Sequence, residues 1–477
     1  MQISHHVAPV DLRMVSANIR RPLKLLGMAL VAPFAVAIVS REWTQALVFA
    51  GLAGATYLLG RRELPSAAPI APRDALVFAA LVYLVFSLVG ALAYLPRASF
   101  VDGFFESMSG FTTTGLSVLD PASMPDSLLF FRSYSQWIGG AGIIVLSIVF
   151  LPGVRATLLP LYSAEFREEN LLGNLLSTSR LVFSIYGGLT LLGFVVFVLS
   201  GMGYFDALLH VLSTLSTGGF SPYPDSIGRY GSVGIEISVC LFMIAGAVAF
   251  PLYYRAVREG PKKFFADSQL RALALAIGAG FILTLLYDRS RGAEATIVAH
   301  VFHSVSAVTT TGFSVTDAAD WEQGQRLVAI VLMFVGGSSG STAGGVKLIR
   351  AFVLARVAQW YLHRALLPAE AQLPLRQGGR TLRDDEIRNV VGLTTVFLCF
   401  IVGSTFLLTF TGCEPTDALF ESTSALGTVG LSTGLTSSDL IWWAKLLLAV
   451  DMWAGRLEVL PLLVLLYPSR RHMRRSS

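Results

Sequence analysis

Ser109–Ser117 reads SGFTTTGLS, and its pattern returns three more times, as STLSTGGFS (Ser213–Ser221), SAVTTTGFS (Ser306–Ser314) and SALGTVGLS (Ser424–Ser432). Each copy has a Ser, a Gly six residues later, another Ser two residues after that, and a Thr two places before the Gly. The glycines are Gly115, Gly219, Gly312 and Gly430. A phrase repeated at intervals of roughly 100 residues implies one structural unit used four times. Four such units can surround an axis.

Hydrophobic residues make up 54% of the 477 residues and charged ones 14%. An ordinary soluble domain carries roughly a quarter charged residues, so this chain belongs in a bilayer. Apolar runs long enough to span, about 20 residues each, lie at 25–40, 44–60, 75–95, 128–152, 182–203, 231–253, 269–287, 326–349, 391–411 and 440–467. They number ten, the eighth interrupted by glycines. The first follows more than 20 residues and runs straight on to a second span, which reads as an uncleaved helix rather than a signal peptide. Cys240 and Cys399 fall inside spans and Cys413 at a span end, so neither a disulfide framework nor a metal-ligand spacing is supported.

Basic residues divide unevenly between alternate connections. One side takes Arg13, Arg20, Arg21, Lys24, Arg61, Arg62, Arg73, Arg155, Arg167, Arg180, Arg255, Arg258, Lys262, Lys263, Arg271, the long 347–388 loop and the tail Arg470, Arg471, Arg474 and Arg475. The other takes Arg41, Arg97, Arg132, Arg229, Arg289, Arg291, Arg326 and Lys445. By the positive-inside rule, both termini are expected in the cytoplasm and the repeated phrases near the outer face. The same asymmetry accounts for the basic loops, so no nucleic-acid partner is expected.

Each phrase sits between two spans, after a stretch too short to cross. In the first unit that stretch is Asp102–Phe111 (DGFFESMSGF). Asp102, Asp206 and Asp417 stand thirteen residues before their glycines and are expected as helix N-caps, with Ala299 at that place in the third unit. A helix of about ten residues rises about 15 Å, half the apolar thickness, so it enters and turns back. The backbone after it is permitted at that depth only if buried in protein or lining water.

An extended segment with a glycine free to take left-handed dihedrals can aim carbonyls at the axis, and rings of carbonyls replace the hydration shell of a potassium-sized cation. Four half-helix C-termini with partial negative charge favour the same ion. The expected ligands are main-chain oxygens of Thr112, Thr113, Thr114 and Gly115; Ser216, Thr217, Gly218 and Gly219; Thr309, Thr310, Thr311 and Gly312; and Gly427, Thr428, Val429 and Gly430.

With these phrases, Gln136–Ile144 (QWIGGAGII), Gly336–Lys347 (GGSSGSTAGGVK) and Gly455–Glu458 (GRLE) make the chain resemble the Trk/Ktr/HKT superfamily of potassium transporters along nearly its whole length. Two spans before the first unit resemble its TrkH-like bacterial branch. The resemblance implies K+ as the transported ion with no organic cofactor in this chain, the bacterial inner membrane, a homodimer, and a TrkA-type cytoplasmic ring of nucleotide-binding domains. It places the selectivity glycines at Gly115, Gly219, Gly312 and Gly430. Sodium-favouring members carry Ser at the first position, so Gly115 implies potassium.

Small residues crowd the eighth span at Gly336, Gly337, Ser338, Ser339, Gly340, Ser341, Thr342, Ala343, Gly344 and Gly345, where an uninterrupted helix is disfavoured. The resemblance implies a gating loop there; close helix packing through small residues is the alternative. Arg456 is a charge within the last span and needs a partner: Glu458, Asp451 or the glycine loop. The resemblance makes it an electrostatic barrier, against a purely helix-orienting salt bridge. Lys347 either meets the loop or snorkels to the inner surface. Glu106, Glu421, His210 and His303, nine residues before the glycines, are expected as polar packing sites behind the phrases.

Gly336–Gly340 also satisfies G-x-S-x-G, but none of the seven histidines lies within a spanning helix to act as its base, so no enzyme is expected. The loop lacks the G-K-[ST] ending of a phosphate-binding loop. A proton- or sodium-coupled potassium symporter is the remaining alternative, with Glu236, Asp451 and Glu458 as scattered candidates for coupling. The expected whole is an all-α polytopic membrane protein, with a two-helix extension at 1–72 and pore units at 73–180, 181–267, 268–386 and 387–477. The cytoplasmic loops, especially Arg350–Arg388 with its run Arg383–Arg388, offer a docking surface for the cytoplasmic ring or serve as solvated linkers.

Overall fold

Inside hydrocarbon every backbone N–H and C=O has to be satisfied by the protein itself, so long apolar stretches fold as helices. A computed structural model of the chain describes residues 12–61, 72–149, 175–292, 296–368, 374–377 and 380–466. Arg62, Arg155, Arg167, Arg470, Arg471, Arg474, Arg475, His5, His6 and His472 lie outside them. The extension consists of α1 (Leu12–Ala29), α2 (Val31–Val39) and α3 (Trp43–Arg61). The first unit has α4 (Pro72–Tyr94), α5 (Phe100–Phe111) and α6 (Asp126–Val149). The second has α7 (Leu175–Leu199), α8 (Tyr204–Leu215), α9 (Val233–Ala247), α10 (Phe250–Glu259) and α11 (Pro261–Phe265).

The third unit has α12 (Ser268–Arg291), α13 (Ile297–Val308), α14 (Gln323–Val335) and α15 (Leu348–Ala365). The fourth has α16 (Asp384–Thr409), α17 (Pro415–Leu426), α18 (Trp442–Arg456) and α19 (Leu460–Leu466). This is an all-helical membrane protein with several apolar spans. Among the described residues five helices are long and apolar enough to cross: Asn18–Val39, Asp74–Tyr94, Arg180–Leu199, Ser268–Arg291 and Asp384–Thr409. The 347–388 segment, expected as a loop, contains α15 and a two-residue ladder pairing Arg376–Gln377 with Arg380–Thr381.

The expected sixth, eighth and tenth spans are broken, and each is the closing helix of its unit. In the second unit α9 and α10 meet at 93°. Pro251 has no amide hydrogen for Ala247, four residues back, and its ring would collide with that carbonyl. In the third, α14 ends at Gly336 (φ 71) and helix resumes only at Leu348. In the fourth, Glu458 and Val459 take positive φ of 57 and 65 between α18 and α19.

The half-helices α5, α8, α13 and α17 have twelve residues each, a rise of about 18 Å. The aspartates expected as caps stand instead at the third helical position. The cap residues are Ser99, whose Oγ accepts from Asp102 N at 3.2 Å, Gly203, Thr296, whose Oγ1 accepts from Ala299 N at 3.2 Å, and Glu414 ahead of Pro415. Asp102, Asp206 and Asp417 still favour the positive helix end, but their side chains reach outward. Lys445, the fourth residue of α18, pairs with Asp102 at 2.6 Å, and Arg326, the fourth of α14, pairs with Asp417. These two closing helices thereby hold the next unit's half-helix. Asp206 accepts instead from the Tyr223 and Tyr230 hydroxyls, both at 2.9 Å.

The extension docks on the first unit. Glu42 Oε1 accepts from Asp126 N at 2.7 Å and its Oε2 from Ser127 N at 3.1 Å, capping α6 from outside, while Gln45 Nε2 donates to Ala93 O at 3.2 Å. Replacing Asp417 by Ala strands Arg326 in a partly buried position, for which a loss of about 1–3 kcal/mol is typical. Thermal unfolding of the detergent-solubilised protein checks this. The Arg326→Ala, Asp417→Ala double variant should lose less than the sum of the two single changes.

Candidate functional site

All four half-helices end in the same way. The last helical turn is closed by two amides that turn back: Thr113 N to Gly110 O (3.0 Å) and Thr114 N to Ser109 O (2.9 Å) in the first unit. The equivalents are Thr217 N to Thr214 O and Gly218 N to Ser213 O, Thr310 N to Ala307 O and Thr311 N to Ser306 O, Thr428 N to Ala425 O and Val429 N to Ser424 O, at 2.8–3.2 Å. This is the Schellman closure, whose left-handed position is usually Gly. Here it is the repeated Thr: Thr113, Thr217, Thr310 and Thr428 have φ of 55, 51, 54 and 49. A left-handed non-Gly residue costs roughly 1–2 kcal/mol, so the surroundings must hold each one in place.

The consequence lies on the other side of the chain. With their amides committed backward, the carbonyls of Thr113, Thr114 and Gly115, of Thr310, Thr311 and Gly312, and of Thr428, Val429 and Gly430 accept no hydrogen bond among the described residues. Gly218 O is the exception in the second unit, accepting from Gln136 Nε2 at 2.6 Å. Gly427 O accepts from Gly345 N at 3.1 Å.

The four segments close a ring. A Cβ on Gly115 would strike Gly218 O, one on Gly219 would strike Thr311 O, one on Gly312 would strike Val429 O, and one on Gly430 would strike Thr114 O. Units one, two, three and four thus touch in order, and the fourth returns to the first. The glycines have φ of 94, 77, 82 and 96, so both dihedral and space exclude a side chain at each. These contacts run through Thr114, Gly115, Gly218, Gly219, Thr311, Gly312, Val429 and Gly430, eight of the sixteen positions named from the sequence.

Behind the ring, the residues nine before each glycine tie down the outgoing chain, as expected of them. Glu106 Oε1 accepts from Ser117 Oγ (2.6 Å), Val118 N (2.8 Å) and Leu119 N (3.0 Å). Glu421 Oε1 accepts from Ser432 Oγ and, at 2.9 Å, from Thr433 N. His210 Nε2 lies 3.3 Å from Ser221 Oγ, and His303 Nε2 accepts from Val315 N at 3.3 Å. The second Ser of the phrase is explained in units one, two and four. The first Ser caps the glycine amide in units one and four, Ser109 Oγ accepting from Gly115 N at 3.0 Å and Ser424 Oγ from Gly430 N at 3.1 Å.

Two braces were not legible beforehand. Gln136 also accepts from Phe220 N at 3.1 Å, gripping the second segment from both sides of Gly219. Arg132, buried, pairs with Glu106 at 3.3 Å, donates to Ser221 O at 3.3 Å and stacks over Phe220 at 4.1 Å, joining unit one to unit two. A third feature is a glycine in the closing helix set against the last carbonyl of its own half-helix: Gly139 at Phe111 O, Gly246 at Leu215 O and Gly455 at Leu426 O. The third unit has no such helix at this level, because the glycine loop takes its place.

That loop, Gly336–Lys347, is held by the parts it separates from the interior end of α14. Gly344 N donates to Thr310 Oγ1 at 2.6 Å, Gly345 N to Gly427 O, and Thr342 Oγ1 to Leu215 O at 3.0 Å, so it touches the C-terminal ends of units two, three and four. The break in the second unit anchors its other side. The Ala247 carbonyl freed by Pro251 accepts from Ser338 N at 3.0 Å, Gly246 O accepts from Thr342 Oγ1 at 2.9 Å, and Phe250 N donates to Gly340 O at 3.1 Å. Gln269 Oε1 accepts from Ser339 N at 2.9 Å.

Arg456 lies 4% exposed and donates to Thr342 O at 2.7 Å and to Gly139 O at 3.2 Å. Of its three expected partners only the loop is real. Asp451 accepts from Ser404 Oγ at 2.8 Å, and Glu458 pairs with Arg350. Lys347 turns inward to Ala343 O rather than toward the surface. Loop and Arg456 together connect all four units on the side where the half-helices end. Glu236, Asp451 and Glu458 form no common acidic site, since each has a different neighbourhood.

A closed ring of backbone segments at the ends of four half-helices, most of its carbonyls unpaired among the described residues, sits in an all-helical membrane protein of the transport class. The chain belongs to the TrkH family of cation transport proteins, whose sequence model matches residues 44–475. It is 30% identical over 489 residues to the Trk system potassium uptake protein TrkH of Halomonas elongata, covering 96% of this chain and 99% of that one. It is 32% identical to TrkH of Vibrio parahaemolyticus over 83% of this chain and 86% of the relative. The crystal structure of the potassium transporter TrkH from Vibrio parahaemolyticus superposes with a TM-score of 0.85 at 29% identity, over 96% of this chain and 99% of that one.

The closing-helix glycines separate packing from propensity. Gly455→Ala or Gly139→Ala puts a methyl against a half-helix carbonyl, and overpacking of this kind costs typically 1–3 kcal/mol or more. Gly187→Ala and Gly403→Ala, in helices with open space at the Cβ position, should be neutral or stabilising by up to about 1 kcal/mol. Thermal melts of the four variants show whether the signs split this way.

Proposed function

We propose that the chain takes up K+ selectively across the bacterial inner membrane through a channel-like pore, with the ring of four segments as selectivity filter. The observation that carries this reading is the closed ring, in which each phrase glycine packs on the next unit's carbonyl, and in units one, three and four the carbonyls of the last three positions accept no hydrogen bond among the described residues. Oxygens arranged in this way substitute for water around a dehydrated cation. The relatives named as potassium uptake proteins support the choice of ion. Gly115 carries no side chain that would narrow or polarise the first segment.

In this reading Gly336–Gly345 is the gate, with Lys347 and Arg456 at its flank. The loop is bonded to the ends of units two, three and four and Arg456 reaches the first, so an ion leaving the ring meets backbone and a buried guanidinium. Among the described residues no carboxylate contacts Arg456, and a positive charge repels a cation more strongly at low dielectric than in water. Opening requires Thr342, Gly344 and Gly345 to release their partners together. The working unit is a homodimer with both termini in the cytoplasm. A TrkA-type nucleotide-binding ring acts on α15, which continues directly from the loop.

Growth of an uptake-deficient strain at low potassium tests the filter: the wild type rescues, and Gly→Ser at any of the four positions abolishes or strongly reduces rescue. Rescue that survives all four changes removes the filter assignment. For the gate, Arg456→Ala is expected to raise potassium flux into liposomes several-fold, with unchanged or lower flux counting against the barrier. Passive flux without a proton or sodium gradient separates this reading from a symporter.

A further inference from the structure

We propose that α10 and α11 form an in-plane anchor for anionic phospholipid headgroups, and that this anchor fixes the glycine loop through the break in the second unit. The segment Phe250–Phe265 joins the ends of two spans on the side away from the start of the half-helices, and leaves α9 at 93°. A helix perpendicular to a spanning helix lies along the surface. Its composition suits that position. Phe250, Tyr253, Tyr254 and Val257 follow the i, i+3, i+4, i+7 spacing of an apolar face.

Phe250 is buried against the protein, whereas Val257 is 87% exposed, as is Phe265 to 69%. Beside them stand Arg255, Arg258, Lys262 and Lys263, with Glu259 the one acid of the segment. Glu259 is shared between Arg255 (3.5 Å) and Lys263 (3.2 Å), and Arg258 rests on the Tyr254 ring at 5.1 Å. The segment carries four cations and one anion, a net charge of +3, on a surface that also offers apolar side chains for insertion. Phosphate headgroups complement that charge, and insertion of an amphipathic helix at the headgroup boundary uses both features at once.

The coupling to the loop is covalently short. Phe250, the first residue of α10, donates to Gly340 O, and Gln269, just after α11, accepts from Ser339 N. The first residue of the anchor and the second residue of α12, the helix that follows it, therefore hold adjacent residues of the loop. A tilt of the anchor moves both donors and acceptors, whatever ion the pore carries.

The test uses the full chain in neutral detergent, titrated with phosphatidylglycerol or phosphatidylcholine. Retained lipid is measured by native mass spectrometry and protection of residues 336–347 by hydrogen–deuterium exchange. Phosphatidylglycerol should be retained preferentially, with affinity falling about fivefold for each basic residue removed, and it should slow exchange in the loop. Arg258→Gln, Lys262→Gln, Lys263→Gln combined should abolish both effects while leaving phosphatidylcholine binding unchanged. Lys263→Gln alone, at an exposed position, gives a graded loss if the triple variant does not fold. Equal retention of the two lipids, or undiminished phosphatidylglycerol binding by the variants, overturns the anchor. Binding without a change in loop exchange overturns the coupling. None of these readouts depends on transport, so failure here leaves the proposed pore intact.

Discussion

The rest of the structure depends on the contact between each phrase glycine and the carbonyl of the neighbouring unit. That contact requires a bare Cα, because a methyl at any of Gly115, Gly219, Gly312 or Gly430 would occupy the neighbour's oxygen. It also requires the segment to run with its amides toward the half-helix. The Schellman closure supplies this by using two amides per unit, at the expense of a left-handed Thr in every copy. Strain at four equivalent places is held by the bonds behind: Glu106, Glu421, His210 and His303 on the outgoing chain, Gln136 on the second segment, and ion pairs from one unit to the next.

The electrostatic arrangement follows from the same geometry. Four half-helix C-termini point their partial negative charge toward one region, and the unpaired carbonyls add to it. Arg456 stands next to Gly455, the glycine that lies against the last carbonyl of α17, and its guanidinium donates to the carbonyls of Thr342 and Gly139 near those helix ends. This explains how a buried cation survives without a carboxylate partner: its counter-charge is distributed over backbone dipoles. The loop is held by the same currency of backbone bonds rather than by side-chain packing, and such bonds can be exchanged for others at little net change in free energy.

Much of this was legible in residues. The four phrases with their glycines, the half-helices and the interrupted eighth span all follow from spacing. The loop was also available as the partner of Arg456, though Asp451 and Glu458 were nearer in sequence. What escaped has identifiable causes. Asp is a good cap, which draws the reading to the aspartates, yet Ser99 stands three residues upstream of Asp102 and Thr296 three upstream of Ala299, where a Ser or Thr begins the capping pattern. The broken sixth span was signalled by Pro251, which an apolar-run criterion passes over. Gln136, Arg132 and the glycines at 139, 246 and 455 act through tertiary contacts between units, and no local period announces them. The sign of φ at the repeated Thr was likewise hidden, since Thr ordinarily avoids the left-handed region.

The central claim is that the carbonyls freed at the ring bind a dehydrated monovalent cation. Anomalous diffraction from crystals soaked in rubidium or thallium tests it most directly. The account predicts density on the axis between the segments ending at Gly115, Gly219, Gly312 and Gly430, lost when sodium replaces the heavier ion. Density confined to the space beyond the ring, or an axis that stays empty while transport of rubidium continues, would contradict it.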